Sequence, residues 1–253
     1  MKKFKLLFLL IFIPLLLNSY VFEVNKTESF LVISAFLALD LSNNYFDRQI
    51  ISKPTELELS NLNQNDVPFF DKIAFQPYSN KLKDLSDYTA YLTIGTAIYC
   101  LYDNDTSTLL DNLIVYAEIM TAQSAIGKWT KTLTKRFRPF VYDPDVDIIK
   151  KQQRNSQHSF YSHHSSTVFA AATCSYYRYY QKYGHNYFLA SLLFSTASAT
   201  AILRVASAQH FPSDVVIGAL MGSCISFGIS KYHNNNKLTI GADFNSIKLE
   251  YRF

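Results

Sequence analysis

Six stretches of the chain carry apolar residues at helical spacing, separated by polar punctuation. Residues 29–50 begin apolar and end polar, like one amphipathic helix. Residues 51–87 are polar, contain Pro54, Pro68 and Pro77, and read as loops with short helices. Residues 88–102 form an apolar run that ends at Asp103, Asn104 and Asp105. A further helix is predicted over 109–129, its apolar pattern broken by Asp111, Glu118 and Gln123. After a basic, irregular stretch over 131–154 with Pro139 and Pro144, helices are predicted at 165–180, 187–205 and 215–232. Beyond Asn234, Asn235 and Asn236 the period changes to two, and 237–253, with a turn over 241–246, predicts a β-hairpin. The expected fold is mostly α, a helical bundle of about five or six core helices with a short C-terminal β-hairpin.

The N-terminus differs in kind. Lys2, Lys3 and Lys5 precede an almost unbroken apolar run over 6–17, too short for the roughly 20 residues of a comfortable span. It fits the apolar part of an export signal, with a cut expected between Asn18 and Asn25, or an uncleaved anchor. The expected organisation is therefore 1–24 signal peptide or N-terminal anchor, 25–87 N-terminal helix and loops, 88–232 core, and 233–253 hairpin. The location that follows is outside the cytoplasm, in the periplasm or cell envelope.

Composition sharpens this picture in three ways. Charged residues are only 17% against the roughly 25% usual in soluble domains, and apolar residues reach 49%. Seven Gly and seven Pro in 253 residues favour long helices over turn-rich β structure. A net charge of +4 does not mark a dedicated nucleic-acid binder. Cys100, Cys174 and Cys224 lie in separate apolar stretches and read as buried free thiols. Membrane crossing is a closer question, because several helices run about 16 to 19 residues. The stretch 131–154 holds seven Lys or Arg, whereas 103–107 is acidic. A basic loop prefers the cytoplasm, the wrong side for an exported site. This favours a water-exposed helical domain resting on the membrane.

Three clusters bear chemistry. Lys131 and Arg138, the latter followed by Pro139, are seven residues apart and would project from one helical face, two turns apart. Alone they suit a solvated basic face as well as an anion clamp. Phe160-Tyr161-Ser162-His163-His164-Ser165 directly precedes an apolar helix, whose N-terminus attracts anions. Alone this is equally a capping loop. In the third, Arg204, His210 and Asp214 fall where one apolar helix ends and the next begins. A carboxylate four residues after His210 is placed to hold the imidazole in one tautomer, or simply to cap a helix.

Taken together, the clusters resemble the signature of the type-2 phosphatidic acid phosphatase (PAP2) superfamily: Lys-x6-Arg-Pro, then Pro-Ser-Gly-His, then Ser-Arg-x5-His-x3-Asp. The chain supplies Lys131 and Arg138-Pro139, then Ser162 and His164, then Arg204, His210 and Asp214. The resemblance covers roughly residues 88–230, and the family places a helix pair between the second and third clusters. Tyr161 stands where the family has Pro, His163 where it has Gly, and Leu203 where it has Ser. The Gly lets a backbone N–H approach phosphate closely, and His163 keeps that N–H while adding a side chain.

The resemblance implies a metal-independent phosphatase acting on phosphate monoesters or pyrophosphates, carried by lipids or by small esters, at a membrane surface and with no cofactor. Lys131, Arg138 and Arg204 would hold the phosphoryl oxygens together with Ser162 and the backbone N–H of His163. His210 would attack phosphorus and form a phosphohistidine, with Asp214 orienting it. His164 would protonate the leaving oxygen and then activate water. The histidines offer no His-Glu-x-x-His pattern or Cys partner for zinc, and three nearby cations oppose a metal. Two other readings share these residues: a vanadium-dependent haloperoxidase, since vanadate mimics phosphate, and a non-catalytic anion-binding envelope protein, given the altered 161–163 segment.

Overall fold

Short polar side chains open five of the six long helices in the computed structural model, which describes residues 21–234 and the backbone of residues 238–243 and 246–251. Asn25 caps α1 (Lys26–Ile50), Ser79 caps α2 (Asn80–Cys100) and Asp105 caps α3 (Thr106–Thr134). Ser162 caps α4 (His163–Tyr183) and Asn186 caps α5 (Tyr187–Ala206), while α6 is Pro212–Asn234. Each cap accepts a backbone N–H that the first helical turn leaves without a partner. Helix α2 begins at Asn80, well before the expected residue 88. Its first two turns are polar, so the apolar pattern by itself did not reveal them.

Helix α4 is the centre of the bundle and packs against α2, α3, α5 and α6. Its buried side chains are mostly small, including Ser165, Ser166, Ala170, Ala171 and Ala172. Close approach to α6 depends on two glycines one turn apart. A Cβ at Gly218 would lie 2.6 Å from the Ser162 oxygen, and one at Gly222 2.1 Å from the Ser166 oxygen. These contacts set the N-terminus of α4 against the first turns of α6. At the other end of α4, Arg178 and Lys182 meet Asp103 at 2.5 and 2.6 Å, tying it to the turn between α2 and α3.

Helix α1 presents the reverse of a soluble amphipathic helix. Its buried residues are Ser29 and Asn43, whereas Phe30, Leu31 and Leu41 are 62% exposed or more. It docks on α3 through polar groups: Asp40 accepts from Ser124 at 2.7 Å and Lys128 at 2.5 Å, and Asn43 donates to Thr132 at 2.9 Å. Among the described residues, α1, α5 and α6 are long and apolar enough to cross a membrane. Outward apolar faces over a polar or small-residue interior are the pattern of a membrane-associated protein. They count against the water-exposed domain favoured from charge placement.

The expected fold class is corrected at its C-terminal end. Among the described residues the bundle is helical throughout and ends at Asn234, and no strand takes part in it. Strands Leu238–Asp243 and Ser246–Tyr251 form a two-stranded sheet that pairs only within itself. Its pairing runs up to Asp243 and Ser246, so the predicted turn over 241–246 is strand for most of its length. A β element is thus no part of the fold that builds the core.

Of residues 1–24, expected as a signal peptide or N-terminal anchor, residues 1–20 lie outside the described residues. Val21 and Phe22, however, belong to the core with Leu101, Val115 and Ile119. The Phe22 ring stacks on Tyr177, and Glu23 N–H donates to the His233 carbonyl at 2.9 Å. The three cysteines are free thiols, but only Cys174 is buried, and Cys224 faces outward.

Candidate active site

The three sequence clusters meet at one end of the bundle, where α3 and α5 end and α4 and α6 begin. Lys131 lies in the last turn of α3, which stops at Lys135 in the left-handed region at φ 49°. Arg138 is not on that helix. It is extended, with φ −78° and ψ 153°, as the residue before a proline prefers. The expected shared helical face therefore does not exist, and the chain turn after Thr134 is what brings the two cations together.

Arg138 is buried and bonded at all three of its nitrogens. It donates to the Asn155 carbonyl at 2.9 Å, the Asn155 side chain at 3.1 Å and the Gln209 side chain at 2.9 Å. Lys131 Nζ donates to the His158 carbonyl at 2.8 Å. Burial and then the neighbouring Arg138 push the Lys131 pKa well below its ordinary value, while burial and then Arg204 bring Arg138 down to about 10. An arriving phosphate would relieve this crowding of like charges.

His210 is brought back toward Arg204 by a tight reversal. The Gln209 and His210 N–H groups both donate to the Arg204 carbonyl, at 3.1 and 3.2 Å, with Ala208 at φ 55°. The ring is buried, and its Nδ1 lies 2.8 Å from the Ser159 carbonyl oxygen. A carbonyl can only accept, so Nδ1 carries the proton and Nε2 keeps its lone pair. Nε2 faces Arg138 NH1 at 3.3 Å. Burial, then Arg138 and Lys131, hold the His210 pKa well below normal, so the ring is neutral.

Asp214 makes no hydrogen bond to the ring, its Oδ2 lying 3.7 Å from Nδ1, within ion-pair reach of a protonated imidazole. That carboxylate instead organises the surrounding backbone. It accepts from Ser159 Oγ at 2.5 Å and Phe211 N–H at 2.9 Å, and pairs with Arg136 at 2.7 Å. Arg136 also pairs with Asp71 at 2.7 Å, and Asp71 takes the Ser213 N–H at 2.9 Å. Asp214 thereby positions Ser159, whose carbonyl positions His210.

Ser162 caps α4, accepting from Ser165 N–H at 3.4 Å, and its own N–H donates to the Asp214 carbonyl at 3.0 Å. The N–H groups of His163 and His164 belong to the first turn of α4, where a helix offers donors to an anion. The His163 side chain is accommodated by α3. A Cβ on Gly127 would meet His163 Cδ2 at 3.3 Å and Tyr161 Oη at 3.4 Å. Burial, then Lys131 and Lys128, lower the His163 pKa to about 4, so it adds no charge near neutral pH. His164 touches the Arg204 guanidinium, with Nδ1 2.6 Å from NH2 and Nε2 also in contact with it. Arg204 Nε and NH1 are buried without a partner among the described residues, leaving donors for phosphoryl oxygens.

A family model described as PAP2 superfamily matches residues 112–238, half of the chain. The chain belongs to the PAP2 superfamily. Among solved structures, the crystal structure of Aquifex aeolicus LpxE is similar, with a TM-score of 0.48 and 21% identity. The similarity covers 66% of this chain and 98% of that one. No curated protein matches. In PAP2 terms, α4 and α5 are the helix pair between the second and third motifs. Two departures from the PAP2 pattern, Tyr161 and His163, pack together against Gly127. Sequence reasoning missed Ser159, Arg136 and Asp71, and also Asp87, which approaches His164 from α2. Arg136 lay inside the basic stretch, but nothing in the sequence marked the other three. Among the described residues, no group of three or more His, Cys, Asp or Glu is placed to hold a metal ion.

Proposed function

We propose that the protein is a metal-independent phosphatase that hydrolyses phosphate monoesters or pyrophosphates, chiefly lipid-borne ones, through a phosphohistidine on His210. The observation that carries this reading is the buried His210, whose Nδ1 lies 2.8 Å from the Ser159 carbonyl and whose Nε2 faces Arg138 at the cationic end of the site. Lys131, Arg138 and Arg204 bind the phosphoryl oxygens with the first-turn N–H groups of α4 and Ser162. Phosphate displaces Arg138 from its contact with Nε2, which attacks in line. His164 gives its proton to the departing oxygen and recovers one from the water that cleaves the phosphohistidine.

The active end of the bundle sits at a membrane–water interface of an exported protein, with α1, α5 and α6 crossing the bilayer. The exposed apolar faces of these helices support that placement. The basic stretch opposes it less than its charge count suggests, because several of its seven cations are engaged. Lys131 and Arg138 are buried in the site, Arg136 pairs with Asp71 and Asp214, and Lys150 stacks on Tyr78 at 3.2 Å.

The test is phosphate release by the detergent-solubilised full chain from phosphatidate, a prenyl diphosphate and p-nitrophenyl phosphate, with EDTA present. Release that persists in EDTA, is inhibited competitively by vanadate and disappears in His210→Ala is expected. Activity that requires added zinc or magnesium, or that survives in His210→Ala, rejects the mechanism.

A further inference from the structure

Helix α2 lies outside the matched PAP2 segment, yet it sends one carboxylate into the site. Asp87 Oδ1 is 3.1 Å from His164 Nε2 and 3.2 Å from Arg204 NH2. Its Oδ2 pairs with Lys83 at 3.2 Å. Oδ1 is buried and has no donor aligned on it as a hydrogen bond, so a small rotation of the His164 ring would complete the contact. Beside the pair lies a cavity of about 190 Å³ lined by Asp87, His163, His164 and Tyr91.

The charges around His164 give this carboxylate a task. Around the ring stand Asp87 from α2, itself paired with Lys83, together with Lys131 from α3, Arg138 from the following loop, His163 on its own helix, Arg204 from α5 and His210 from the turn after it. Every charged group in that set except Asp87 is a cation. Burial, then Arg204, His163, Arg138 and Lys131, depress the His164 pKa to about 2. An imidazole in that company holds no proton to donate near neutral pH unless negative charge offsets the cations. Bound phosphate neutralises the three that contact it, and Asp87 is the protein's own counter-charge at the ring.

We propose that Asp87 is the positioning residue of the acid–base step, holding the His164 ring and stabilising its protonated form. This rests on the phosphatase reading above. In the first step the His164 proton goes to the ester oxygen as its bond to phosphorus breaks and the His210 Nε2–phosphorus bond forms. In the second, water oxygen bonds to phosphorus, its proton returns to His164, and the Nε2–phosphorus bond breaks. Asp87 exchanges no proton in either step.

The experiment uses the full chain carrying Asp87→Asn or Asp87→Glu. The His164 ring is titrated by NMR with inorganic phosphate present, its signals assigned through His164→Gln. In Asp87→Asn the His164 pKa is expected to fall by about one unit or more, and Asp87→Glu to restore it. For turnover, kcat on an alkyl phosphate should fall about tenfold in Asp87→Asn, with a loss of less than about threefold on p-nitrophenyl phosphate, which needs little protonation. An unmoved titration with equal losses on both substrates overturns the proposal and leaves Asp87 a structural residue. If the parent protein releases phosphate from no substrate, the phosphatase reading fails, and the titration still decides whether Asp87 governs His164.

Discussion

His210 Nδ1 lies 2.8 Å from the main-chain oxygen of Ser159. The tautomer of the proposed nucleophile is therefore set by a backbone group that no side-chain substitution removes. Asp214→Asn should accordingly cost turnover less than a direct carboxylate–imidazole pair would predict, on the order of 10²-fold or less in kcat/KM, whereas His210→Ala should abolish it. The larger effect of Asp214 should be on stability. Asp214→Ala leaves Arg136, Ser159 Oγ and the Phe211 N–H without their shared acceptor, and losing one partner of a buried pair costs about 3 kcal/mol or more. Thermal unfolding beside steady-state kinetics separates the two effects.

His164 contacts the Arg204 guanidinium at the mouth of the proposed phosphoryl site. His164→Ala should be severe for alkyl phosphates, roughly 10³-fold in kcat, and milder by about tenfold or more for p-nitrophenyl phosphate. A plot of log kcat against leaving-group pKa is expected to steepen in the variant. Parallel plots would remove His164 from the acid role.

His163 is held neutral, its pKa lowered from 6.5 to about 4. The unfolded chain takes up that proton first as pH falls, so His163 weakens the folded state progressively between 6.5 and about 4 and has no effect above that window. One proton accounts for at most about 1.4 kcal/mol per pH unit, less for a ring that is partly exposed. His163→Gln should flatten the fall in Tm from pH 7 to pH 4.5 and leave the neutral-pH activity profile almost unchanged. His158, also lowered by burial, would supply part of the remaining slope. An unchanged Tm profile would reject the buried neutral assignment.

Phe22 is 1% exposed and stacks on Tyr177. Relative to a chain that begins at Val21, one that begins at Asn25, or the substitution Phe22→Ala, should lower stability by about 3–5 kcal/mol. Thermal unfolding of the three variants in one detergent checks this. Intact stability after loss of residues 21–24 would show that the docking of this segment contributes little.

The amino-acid sequence by itself determined the helical class, the approximate extent of most long helices, and the identity of Lys131, Arg138, Ser162, His164, Arg204, His210 and Asp214 as one constellation. Periodicity reports local backbone geometry, and motif spacing constrains chemistry, so both are legible along the chain. What faces what is a different matter. The polar opening of α2 carried no apolar signal, and the outward apolar face of α1 reverses the soluble pattern, so neither its polar docking on α3 nor the position of Asp87 could be read from periodicity. Only the tertiary structure decided that Lys131 and Arg138 meet across a left-handed helix end, and that Asp214 acts on His210 through Ser159. A backbone carbonyl carries no side-chain identity, so its place as the partner of His210 depends on tertiary contacts, the packing of α4 against α6 over Gly218 and Gly222 and the hold of Asp214 on Ser159 Oγ.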